Sequence, residues 1–75
     1  MMKLTTLRWQ KHGDIMVAVD SDGCKRYFVW YEVIWNAWQC CGPIGLVSNA
    51  EQYGATSKRE VMRRVRKDWK DRNSK

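Results

Sequence analysis

The chain is short of the residues that carry most side-chain chemistry. Its 75 residues include one histidine, one proline and one phenylalanine. No P-loop, nucleophile elbow or paired-carboxylate motif is present. His12-Gly13-Asp14 lacks a second acid or base partner and reads as a turn. Three cysteines are an odd set, with Cys40 next to Cys41 and Cys24 apart. Secreted disulfide frameworks normally use an even number. Adjacent cysteines on a strand point to opposite faces, which is poor zinc geometry. Asp20-Ser21-Asp22-Gly23 resembles part of a calcium loop. However, position 18 is Ala and no Glu follows at the right distance, so it reads as a turn. The expectation is a non-enzymatic protein without metal or cofactor.

Long apolar runs are also missing. No 18-residue apolar stretch exists, so no segment reads as a spanning helix. Residues 33–50 carry no charge up to Ala50, but Asn36, Gln39, Gly42, Pro43, Gly45, Ser48 and Asn49 break them into strand and turn pieces. Met1-Met2-Lys3-Leu4-Thr5-Thr6 is not followed by the apolar core of a secretory leader. With the odd cysteine set, this points to a cytoplasmic protein with reduced thiols.

What the chain does have is aromatics and positive charge. A domain of this size buries only about 60% of its unfolded surface, so one small core is expected. Five Trp and three Tyr, in a composition 44% hydrophobic and 29% charged, can furnish it. The formal net charge is +6, and all of it lies in residues 58–75. Lys58, Arg59, Arg63, Arg64, Arg66, Lys67, Lys70, Arg72 and Lys75 there face only Glu60, Asp68 and Asp71. Residues 1–57 balance to zero. Such segregation suggests a polyanionic partner.

The pattern of elements is α+β. Leu4 to Gln10 is Thr-rich and partly alternating. Ile15, Val17 and Val19 share one face of a second strand. Asp20 to Gly23 supplies hairpin chemistry. Tyr27 to Trp38, rich in aromatic and β-branched residues, is the strongest strand signal, with Asn36-Ala37 as a candidate divide. Ile44 to Ser48 reads as a last short strand, and Asn49 to Ala55 as loop. Ser57 and Glu60 form an S-x-x-E capping box opening a helix over about 58–72. Val61, Met62, Val65 and Trp69 fall within roughly 100° of arc on that helix. The expected fold is one domain: a small antiparallel sheet of three or four strands, over about 3–48, with one C-terminal amphipathic helix packed on one face.

Two faces of the long strand are both apolar. One carries Tyr27, Val29, Tyr31, Val33 and Trp35; the other carries Phe28, Trp30, Glu32, Ile34 and Trp38. A single helix covers only one, so the other is expected to meet a second copy, a protein partner or bases. Most of these rings are needed for the core; Trp30, Trp38 and Tyr31 are the candidate partner interface.

The helix supplies the leading site. Arg59, Arg63, Arg66, Lys67 and Lys70 occupy roughly 140–240° from Val61, opposite the apolar arc and free of acids. Arg64 and Arg72 flank them, and Lys25 and Arg26 extend the footprint. Cations in such a stripe neutralise phosphates and release counterions, and Arg forks match phosphate geometry. The leading reading is a nucleic-acid-binding module, DNA or RNA undecided. The rival is a protein-binding inhibitor or adaptor, of the kind phages and other mobile elements use, docking on an acidic surface of a larger host complex. Membrane binding is disfavoured, because Trp69 is the helix's only large hydrophobe besides Val and Met. Over roughly residues 14–72 the element order resembles small DNA-binding modules of three strands and a helix, such as the plant AP2 domain and integrase arm-binding domains. That likeness implies groove contact by the sheet.

Overall fold

A computed structural model describes residues 6–45 and 51–73. Five strands and one helix follow in order: β1 (Arg8–His12), β2 (Ile15–Val19), β3 (Lys25–Glu32), β4 (Ala37–Gly42), β5 (Glu51–Ala55) and α1 (Lys58–Asn73). The strands form one antiparallel sheet in the order β1-β2-β3-β4-β5, each paired with its neighbour in sequence. No helix among the described residues is long and apolar enough to cross a membrane.

The α+β class and the C-terminal helix are as the sequence implies, but the sheet has five strands, not three or four. The fifth is Glu51–Ala55, which reads as loop because it lacks β-branched residues and contains Gly54. Backbone pairing with β4 forms this edge strand, and its Tyr53 packs against the core. At Gly54 a Cβ would come within 2.9 Å of the end of the Gln39 side chain, which can move aside, and 3.1 Å of the Trp38 carbonyl oxygen. Of the expected strand at Ile44 to Ser48, the described residues Ile44 and Gly45 show one backbone hydrogen bond, from the Ile44 amide to the Arg26 carbonyl at 2.8 Å. Residues 46–48 of that expectation, and Leu4 and Thr5 of the expected first strand, lie outside the described residues.

Helix and sheet meet over a narrow core. Val61, Val65 and Trp69 pack on Ala18, Tyr27, Val29 and Cys40, with Leu7, Trp9, Met16, Trp38, Tyr53 and Ala55 around them. The register aligns Met16, Val29, Cys40 and Tyr53 across four strands on the helix-facing side. Val17, Phe28, Cys41 and Gln52 line up on the other side. Trp69 meets Tyr27 edge-on, with ring centroids 6.2 Å apart. The Tyr27 hydroxyl donates to the Asp68 carboxylate, which also accepts from Arg72 Nε at 2.8 Å. Ser57 Oγ accepts the Glu60 amide at 3.2 Å, which is half of the capping box. The Glu60 carboxylate is drawn instead to Arg64, at 3.0 Å, and to the Thr56 hydroxyl.

The long strand signal divides into a hairpin. Residues Val33–Asn36 form its turn, closed by the Asn36 amide on the Val33 carbonyl at 3.2 Å, with Asn36 at φ 48°. Four turn residues reset the alternation. Tyr31 and Trp38 become cross-strand partners on the helix-facing side, while Trp30 sits on the opposite side opposite Gln39. The expected face shared by Trp30 and Trp38 therefore does not exist, because it assumed one unbroken strand.

A buried clasp closes the other end of that hairpin. Asp20, fully buried, accepts the Asp22 and Cys24 amides on Oδ1 and Arg26 Nε on Oδ2 at 2.7 Å. Arg26 also donates to the Ile44 carbonyl at 2.8 Å and lies 5.7 Å over the Trp69 ring. Burial alone would raise the Asp20 carboxyl, but the Arg26 bond, the two amides and the Arg26 charge together hold it below its ordinary value. Gly42 is required beside the clasp, since a Cβ there would lie 2.5 Å from the Arg26 carbonyl oxygen and 2.8 Å from Tyr27 Cδ2.

Candidate nucleic-acid interface

The cationic site is built on α1 by the same periodicity that builds the core. Val61, Val65 and Trp69 are buried, so residues about half a turn away must face water. Arg59, Arg63, Arg66, Lys67 and Lys70 are all exposed. None makes an ion pair or hydrogen bond with another described residue. From Arg59 to Lys70 the helix rises about 16 Å, near the axial rise of five base pairs at about 3.4 Å each.

The flanking cations differ. Arg64 pairs with Glu60 at 3.0 Å, and Arg72 pairs with Asp68 at 2.8 Å, each one turn apart. Arg26 is committed to the clasp. Lys25 is exposed at the start of β3, beside the clasp. Lys58 sits with Nζ 5.8 Å over the Trp38 ring. The structure thus gathers five of the nine expected contact residues on one open face and ties three of the rest, Arg26, Arg64 and Arg72, into internal pairs.

A groove of about 580 Å³ runs along the first half of the helix, lined by Lys58, Arg59, Met62, Arg63 and Arg66. Met62, half-buried, gives it an apolar floor among four cations. Such a groove can hold an anionic group with an apolar or planar portion, a pairing that a uniformly charged surface does not offer.

The three candidate interface aromatics come together in an unexpected way. Tyr31 and Trp38 meet edge-on with centroids 5.4 Å apart. Trp30 is on the other side of the sheet, its Nε1 donating to Glu32 at 3.3 Å. All three nevertheless line a second groove, of about 450 Å³, with Asp14, Ile15 and Val33 at the end of the sheet. Beside it stands a feature that the sequence reading assigned to a strand. Val33, Ile34 and Trp35 are 79%, 83% and 73% exposed at the tip of the β3–β4 turn. The signal for it was Asn36, a residue tolerant of positive φ, following three apolar residues.

The thiols are distributed as strand alternation requires: Cys40 is buried under the helix, Cys41 is on the opposite side, and Cys24 is exposed; all are free. Burial pushes the Cys40 thiol up to about 11. His12 Nε2 meets the Gln10 amide oxygen, at 3.1 Å, on the first strand. Neither a family model, nor a curated protein, nor a solved structure matches the chain.

Proposed function

We propose that the protein is a small non-enzymatic module that binds nucleic acid through the open face of α1. The observation that supports this reading is the set of five exposed cations, Arg59, Arg63, Arg66, Lys67 and Lys70, on one helical face, without partners among the described residues. Flanking Arg64 and Arg72 already hold carboxylates and contribute less. Contacts of this type position a protein on phosphates and carry little sequence information.

The test is salt dependence. Five neutralised phosphates give a slope of log K against log salt of roughly −4 to −5 on duplex DNA. Arg63→Glu with Lys67→Glu weakens binding and flattens the slope by about two contacts. A slope near zero for the unaltered protein overturns the reading.

The exposed Val33-Ile34-Trp35 tip favours a second reading, a protein-binding adaptor. Trp, Tyr and Arg dominate the energetics of such interfaces. A stoichiometric complex with an acidic protein that survives nuclease treatment, with no affinity for oligonucleotides, selects it.

A further inference from the structure

Exposed Val, Ile and Trp in succession are an unfavourable way to end a hairpin. Each leaves most of its apolar surface in water, which is unfavourable. Yet this turn is held in one shape. The Asn36 amide closes on the Val33 carbonyl, and the Tyr31 hydroxyl donates to Asn36 Oδ1. Tyr31 is in turn packed against Trp38. Three apolar side chains are thereby presented on a hydrogen-bonded turn backed by packed rings.

The tip also lies at a particular end of the molecule. Trp38, the second residue of β4, pairs with Ala55 at the close of β5, and the first helical residue, Lys58, covers the Trp38 ring. The helix therefore begins at the tip end, where Arg59, Arg63 and Arg66 border the 580 Å³ groove, and ends with Trp69 against Tyr27 and Arg26. Cations without a partner among the described residues and exposed apolar side chains therefore lie toward the same end of the molecule.

We propose that the β3–β4 turn is a base-stacking tip, with Trp35, flanked by Val33 and Ile34, packing on unpaired bases of a nucleic acid whose phosphates lie along the tip-end half of the cationic face. This rests on the function proposed above and narrows its ligand to nucleic acid with unpaired bases. Charge complementarity selects this occupant. A flexible strand can place phosphates on Arg59, Arg63 and Arg66 and turn its bases over the tip, as proteins that pair a cationic track with an aromatic platform do. A planar lipid surface taking the tip would bring Asp14 and Glu32 against its headgroups. It would also leave Lys67 and Lys70, more than two turns along α1, without partners.

The experiment compares a labelled single-stranded oligonucleotide of about 12 nucleotides with a blunt duplex of the same length. Fluorescence anisotropy is read across a salt series for the full chain, Trp35→Ser, Trp35→Phe, and Arg63→Glu with Lys67→Glu. One stacked base corresponds to about 10-fold in affinity. The expected result is a preference of about that size for the single strand. Trp35→Ser removes it at an unchanged salt slope and unchanged duplex affinity, and Trp35→Phe restores most of it. Equal single-strand affinity for Trp35→Ser and the unaltered protein, with the salt slope intact, overturns the tip alone and leaves the helix reading standing. So does a loss confined to anionic phosphatidylserine vesicles in parallel flotation. Absence of salt-dependent binding to either oligonucleotide overturns the helix reading, and the tip reading with it. Thermal melts of the variants check that the fold is retained.

Discussion

The two ends of the β3–β4 hairpin use similar residue types to opposite ends. At the clasp, a carboxylate, an arginine and a tryptophan pack together: Asp20 holds Arg26, and Arg26 lies over the Trp69 ring. At the tip, Trp35 faces water, and Arg59 and Arg63 on the adjoining helix have no internal partner among the described residues. Ion pairing and ring burial at the clasp are bound up with folding. The same groups at the tip contribute little to folding and are free for a ligand. Charge and aromaticity by themselves do not separate structure from function in a chain this small; where each group's partner lies does.

The comparison is broken most severely at Trp69. Trp69→Ala removes the largest fully buried side chain, with an expected loss of about 3–5 kcal/mol. A domain of this length is stable by only roughly 4–11 kcal/mol. Urea unfolding should show a large fall in midpoint or an unfolded chain; a shift below about 1 kcal/mol would mean the helix does not depend on its seam.

Asp20→Asn is next. Breaking one partner of a buried ion pair costs about 3 kcal/mol. The sign with pH follows from the lowered Asp20 carboxyl. Its contribution is present above the ordinary value of 3.8 and is lost as pH falls through the lower folded value. Denaturant midpoints measured from pH 7 to pH 2 should therefore show the gap between the parent and Asp20→Asn holding to about pH 4 and then narrowing. A gap that stays constant to pH 2 contradicts the clasp.

At the open end the expected effects on stability are smallest. Trp35→Ser, and Arg63→Glu with Lys67→Glu, should each shift unfolding by less than about 0.5 kcal/mol, while altering ligand binding as described above. A larger loss in either would show that the tip or the stripe is part of the folded framework.

How far the sequence anticipates this molecule depends on what each element rests on. The helix was legible from Ser57 and from the spacing of Val61, Val65 and Trp69, because its signal is local and periodic. The second strand and the Asp20-to-Gly23 turn were legible for the same reason. β5 was not, because Glu51–Ala55 is a strand only through its pairing with β4, and pairing leaves no mark in local propensity. The tip was missed for a related reason: a four-residue turn placed inside an apolar run changes the side of every residue after it. The stripe of five cations could be placed on one face from sequence. That Arg26 is engaged elsewhere could not, since Asp20 meets it through a folded turn, whereas the Glu60–Arg64 and Asp68–Arg72 pairs stand four residues apart on one helix, a spacing that the sequence does display.

The plain meander of the sheet has a kinetic consequence. Because every strand pairs with its immediate predecessor, assembly proceeds by successive short closures, and none has to wait for a distant segment. The helix alone must find a surface that several earlier strands make together. During synthesis the sheet can take shape first, with its helix-facing side bare until the sixteen residues of α1 emerge to roof it.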